Sequence, residues 1–179
     1  LMIGPSGAAL SVDRLISRGW VTWRALRRQR PAPAPLWAEP LGAANLTLRL
    51  IQIHFCIIYF ASGTSKLLGS AWWNGTALWG TLANYEFTPL RYTWYYDMLR
   101  FLCEHRWLWE VVCGSGVLYT LALEISFPFL VWLPRWRWLM IACAVLLHTV
   151  IAFAMGLKTF GLIMVTMLLA FIPPETYRR

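Results

Sequence analysis

Charge is scarce in this chain of 179 residues, and acid is scarcer still: Asp, Glu, Lys and Arg together make up 13%, with 8 acidic residues against 16 basic ones. With 59% of residues hydrophobic and a mean hydropathy of +0.53, so few charges could not cover the surface of a soluble domain, and a membrane protein is expected instead. Usable cysteine is lacking too. Cys56, Cys113 and Cys143 fall inside apolar runs and only Cys103 lies outside them, which excludes a disulfide scaffold, and no spacing suits zinc, so no metal is expected. The formal net charge of +8 comes without any nucleic-acid recognition motif, and no inverted repeat points to a transporter. Neither an initiator Met nor a signal-peptide pattern opens the sequence, so the chain is expected to be the C-terminal portion of a longer protein.

Long apolar runs are present, at 46–66, 108–133 and 138–172. A bilayer core about 30 Å thick takes about 20 helical residues, whereas the last run would extend about 51 Å at roughly 1.5 Å per residue. It should break where Gly156, Leu157, Lys158 and Thr159 interrupt it. The expected fold is therefore all-α: an integral membrane helical bundle of about four transmembrane helices, the fourth short, with added interfacial helices. Residues 1–35 read as a basic interfacial helix and a proline-rich spacer (Pro31, Pro33, Pro35), and 36–179 as the bundle. The opening stretch, with Gly4, Pro5, Ser6 and Gly7, reads as the exit of an earlier helix.

Orientation follows from basic residues flanking the spans. Arg14, Arg18, Arg24, Arg27, Arg28 and Arg30 precede the first, Arg135 and Arg137 join the second to the third, and Arg178 and Arg179 end the chain. All three groups fall on one side under even alternation, which predicts a cytoplasmic face for both the 11–30 segment and the C-terminus, as in a bacterial inner membrane. The 67–107 connection and Lys158 then lie outside. That connection is rich in Trp and Tyr and is expected along the interface, with Asn74 capping a short helix in it.

An ionisable group inside hydrocarbon needs a partner, a cavity or an escape to the interface. Counted from the inner ends of the spans, His54, Glu124 and His148 all lie roughly 12 to 15 Å deep, so they can share one layer. Pro128 cannot donate to the carbonyl of Glu124, and such irregularities at membrane depth tend to line cavities. A histidine and Glu124 satisfying one another as interhelical glue explains the same layer without a ligand. Lys66 ends the first span, with Tyr59, Ser62 and Gly63 at seven, four and three residues before it on one stripe. Snorkelling to the interface is one reading of this lysine; a desolvated base facing the bundle is the other.

The run Tyr59-Phe60-Ala61-Ser62-Gly63-Thr64-Ser65-Lys66-Leu67, followed by Trp72 and Gly75, resembles the lysine-bearing helix of vitamin K-dependent gamma-carboxylase and its bacterial HTTM relatives. Three further pieces are similar in the same order around it: residues 5–14, residues 123–129 with Glu124 and Pro128, and Leu147-His148 followed by residues 155–162. The resemblance covers nearly the whole chain. It implies that Lys66 is the base that deprotonates vitamin K hydroquinone or another quinol, which then reacts with dioxygen. It also implies that Glu124 and His148 line or brace the pocket, and Tyr59 and His54 join them as candidate substrate-binding residues. In the eukaryotic carboxylase the resulting strong base takes a proton from a protein glutamate, which captures carbon dioxide. Here the spacing from Lys66 to Trp72 is one residue longer, and no counterpart of the large region that grips protein substrates is present, so a protein substrate is left unassigned. The lipid bilayer and a lipid-soluble quinol are the expected partners. Two other functions remain open: a haem-carrying module with His54 and His148 as axial ligands, and a quinone-binding module without chemistry.

Overall fold

The computed structural model describes residues 12–28, 42–86, 92–173 and 176, with no strand among them; the opening glycine-rich motif and the proline-rich spacer lie outside them. The chain divides into two compact units, Leu1–Ile51 and Gln52–Arg179. In the first, α1 (Val12–Arg27) carries Ile16, Trp20, Trp23 and Leu26 at spacings of four, three and three, all exposed. Arg24 lies over the Trp20 ring at 4.9 Å and Arg27 over Trp23 at 4.3 Å, so cations flank an uncovered apolar stripe. That pattern suits a helix lying in a headgroup layer.

The long helix α2 (Gly42–Lys66) leads into the second unit, which continues with α3 (Ser70–Trp73), α4 (Ala77–Leu82), α5 (Thr93–Glu104), α6 (Arg106–Leu130), α7 (Pro134–Ala154), α8 (Lys158–Leu168) and a 3-10 turn at Leu169–Phe171. Among the described residues, three helical stretches are long and apolar enough to cross a membrane: Asn45–Lys66, Arg106–Leu130 and Pro134–Ala154. The chain is thus a helical protein suited to a bilayer. The expected break in the third run is present, with α7 ending at Ala154, Gly156 at φ +69° and α8 starting at Lys158. The fourth apolar stretch is short, as expected: the helix Lys158–Phe171 covers about 21 Å at roughly 1.5 Å per residue against a core about 30 Å thick.

Pro128 does not interrupt α6, which runs to Leu130. The turn to α7 is tight, and Pro134 opens α7 where a missing N–H costs nothing. Arg137 reaches back to the carbonyls of Val131 (3.3 Å) and Trp132 (3.4 Å), supplying donors that the end of α6 lacks.

Lipid tails are as apolar as leucine, so burial from water cannot drive helices together within a bilayer; close packing must. Phe127, fully buried, is the hub: Tyr59 stacks on it at 4.4 Å, while Phe171 (5.5 Å) and Phe55 (5.8 Å) meet it edge-on. Small residues permit the approach. Gly63 of α2 abuts Glu124 and Ile125 of α6, and Gly161 of α8 abuts Ala152 and the His148 carbonyl of α7. The 67–107 connection supplies a second cluster of Leu82, Tyr95 and Leu99, where the Tyr95 hydroxyl donates to the Leu82 carbonyl at 2.9 Å. Asn74 does cap a short helix, at its C-terminal end. It closes α3, its backbone N–H on the Ser70 carbonyl, before Gly75 turns the chain at φ +70°.

Candidate functional site

Lys66 ends α2, yet its side chain does not climb away from the membrane. Side chains on a helix lean toward its N-terminus, so the stem of Lys66 runs back along the Ser62 stripe and the ammonium sits 2.5 Å from Ser62 Oγ, one turn earlier. Gly63 lets α6 come close enough for Glu124 to meet it. Lys66 Nζ donates to Glu124 Oε1 at 2.9 Å and lies 2.7 Å from Oε2, a close ion contact in which Oε2 accepts no aligned hydrogen bond. Ser62 Oγ also donates to Glu124 Oε1 at 3.2 Å. Side-chain exposure is 22% for Lys66 and 11% for Glu124, which separates this pair from the open surface pairs Arg100–Glu104 and Arg106–Glu110. The Trp72 ring stands 5.4 Å from the ammonium, a cation–π distance.

A second polar pair lies along the same face. Tyr59, seven residues before Lys66, meets His148 of α7 with 2.7 Å between its hydroxyl and Nε2. Either the phenol donates to Nε2 or a protonated Nε2 donates to the phenol oxygen, according to the tautomer. His148 is 4% exposed, its Nδ1 has no hydrogen-bond partner among the described residues, and Phe160 of α8 packs against its ring at 5.7 Å.

Both pairs line one cavity of about 330 Å³. Ser62, Lys66, Glu124, Tyr59 and His148 supply its polar wall with Thr81 and Thr120, and the remainder is apolar, from Ile58 on α2 to Met164 on α8. An apolar pocket with a few converging polar groups is the usual form of a small-molecule site.

Of the residues singled out in the sequence, the fold brings Lys66, Tyr59, Glu124 and His148 together and leaves His54 out. His54 is exposed and is not part of the cavity wall, which corrects its expected place in a shared layer. The depth arithmetic was insufficient because it fixes height and not azimuth. Glu124 is correspondingly paired with Lys66 and not with a histidine. His54 is exposed whereas His148 is buried, and the described residues hold no group of three or more metal-ligating side chains. Sequence reasoning missed Thr120, one turn from Glu124 on α6 and so detectable by periodicity, and the α4 residues Leu78, Thr81 and Leu82, for which the sequence carries no such signal. Compared with family models, curated proteins and solved structures, the chain matches none.

Proposed function

We propose that the protein is an integral membrane enzyme acting on a lipid-soluble quinol, with Lys66 and Glu124 as its proton-handling pair and dioxygen as the second substrate. One observation carries this reading: a lysine and a glutamate, largely withdrawn from water, meet in the wall of an otherwise apolar cavity within helices suited to a bilayer. Ionisable groups at such depth are costly and default to functional hypotheses. A quinol hydroxyl in the cavity can donate to the Glu124 carboxylate in its wall. Lys66 is itself a base only once its proton has passed to Glu124, leaving amine and acid; a proton accepted from the quinol then gives an ammonium beside the neutral acid, and that ammonium stabilises the phenolate electrostatically. Tyr59 and His148 offer a second hydrogen-bonding point to the ring. The basic residues beside the spans support a cytoplasmic placement of the 11–30 segment and the C-terminus, with Lys66 toward the periplasmic face of a bacterial inner membrane.

A non-catalytic quinol-binding module is the second reading. It is favoured by the completeness of the resting pair, in which Ser62 and both carboxylate oxygens already surround the ammonium. Quinol-dependent oxygen uptake in proteoliposomes separates the two, measured beside quinol binding. The enzymatic reading expects uptake in the parent protein and its loss in Lys66→Ala. A parent that binds quinol without consuming oxygen leaves only the module, and uptake undiminished in Lys66→Ala removes the lysine from the chemistry.

A further inference from the structure

Helix α1 carries charge on its apolar stripe, where an amphipathic helix would keep it on the opposite face. Ile16, Trp20, Trp23 and Leu26 of that stripe are 45% to 69% exposed. Arg24 and Arg27 follow Trp20 and Trp23 by four residues each, and residues four apart differ by only about 40° around a helix axis. Side chains lean toward the helix N-terminus, so each arginine folds back over the indole one turn earlier, at 4.9 Å for Arg24 on Trp20 and 4.3 Å for Arg27 on Trp23. The two indoles also stack on each other, with ring centres 5.3 Å apart and planes inclined by 24°. Guanidinium, indole, indole and guanidinium thus form one continuous patch. The helix dipole favours cations in a last turn, but these two lean away from the terminal carbonyls.

Stacking on an indole face leaves the in-plane N–H donors of a guanidinium unused. Among the described residues the ion pairs are Lys66–Glu124, Arg100–Glu104 and Arg106–Glu110, so no described carboxylate meets either stacked arginine. The one acid of α1, Asp13, stands about 16 Å of helical rise before Arg24. When the apolar stripe enters the membrane interface, both guanidiniums must enter with it. The counter-charge at that depth is lipid phosphate, whose oxygens suit the donor fork of arginine. We propose that α1 is a docking surface for anionic phospholipid, with Arg24 and Arg27 on the phosphodiester oxygens and the indoles beneath them holding the two forks in place. Ile16 and Leu26 lie among the first acyl carbons. A zwitterionic headgroup carries its own cation beside the phosphate and binds less well. This surface is independent of the quinol reading.

The test uses the full chain in a neutral detergent, titrated with phosphatidylglycerol or phosphatidylcholine, with bound lipid counted by native mass spectrometry. The parent should bind the first phosphatidylglycerol about tenfold more tightly than phosphatidylcholine, and the advantage should shrink as salt is raised from about 0.05 M to about 0.5 M. Arg24→Gln/Arg27→Gln alters only exposed positions and should erase the advantage. Arg100→Gln/Arg106→Gln, which removes two exposed arginines already paired with glutamates, should keep it. Trp20→Leu/Trp23→Leu keeps the stripe apolar and all the arginines in place, yet should lose most of the advantage because the guanidiniums are no longer held. Equal binding of the two lipids by the parent, or an advantage that survives Arg24→Gln/Arg27→Gln, overturns the proposal. An equal loss in the Arg100→Gln/Arg106→Gln control, or no loss in the tryptophan variant, reduces the effect to overall charge and overturns it as well.

Discussion

Removing the ammonium from the Lys66–Glu124 pair should cost more than removing the carboxylate. Lys66→Met keeps most of the apolar stem but leaves Glu124, 11% exposed on a short side chain of α6, with Ser62 as its remaining polar contact. Stranding one member of a buried pair costs about 3 to 5 kcal/mol, and the 22% exposure of the lysine side chain argues for the lower end, about 3 kcal/mol. Glu124→Leu instead strands a long, flexible cation at the end of α2, which can swing toward the interface, so about 1 kcal/mol is expected. With neither charge present, Lys66→Met/Glu124→Leu should lie within about 1 kcal/mol of the parent, giving a coupling of about 3 kcal/mol across the cycle. The assay is thermal unfolding of the purified proteins in one detergent, where about 3 kcal/mol corresponds to roughly 6 to 12 °C in Tm for a chain of this size. Equal melting of Lys66→Met and parent, or a double variant whose loss is the sum of the single losses, would refute the reasoning and reduce the pair to a surface contact.

Gly63→Ala should lower stability by about 1 to 3 kcal/mol, because the new Cβ would come 2.9 Å from Ile125 Cγ1 and 3.3 Å from the Glu124 backbone carbon, forcing α2 from α6. Gly114→Ala, where a Cβ meets nothing within 4 Å, is its control and should be neutral or stabilising in the same unfolding measurement. Burial pushes the Tyr95 phenol above its ordinary value, so the folded form holds its proton after the unfolded chain has released it. The associated stability is present below about pH 10 and is lost as pH rises beyond it, and Tyr95→Phe should flatten that alkaline decline while costing about 1 kcal/mol at neutral pH for the bond to Leu82. A decline of the same slope in both proteins would place its cause elsewhere.

The sequence by itself determined that the protein is helical and built for a bilayer, since runs of apolar residues and the cost of unsatisfied backbone in lipid leave little choice. It also determined the break at Gly156 and the stripe of Tyr59, Ser62, Gly63 and Lys66, because both depend on backbone geometry within one stretch of chain. Only the tertiary structure decided what that stripe meets. Whether Glu124 faces a histidine or Lys66, and whether His54 joins His148, depend on how each helix is rotated and where it packs. Rotation is set by contacts such as Gly63 against Glu124 and Phe127 against Tyr59, which join residues about 60 or more positions apart. Helical periodicity carries phase along one helix and no information about the angle of the next.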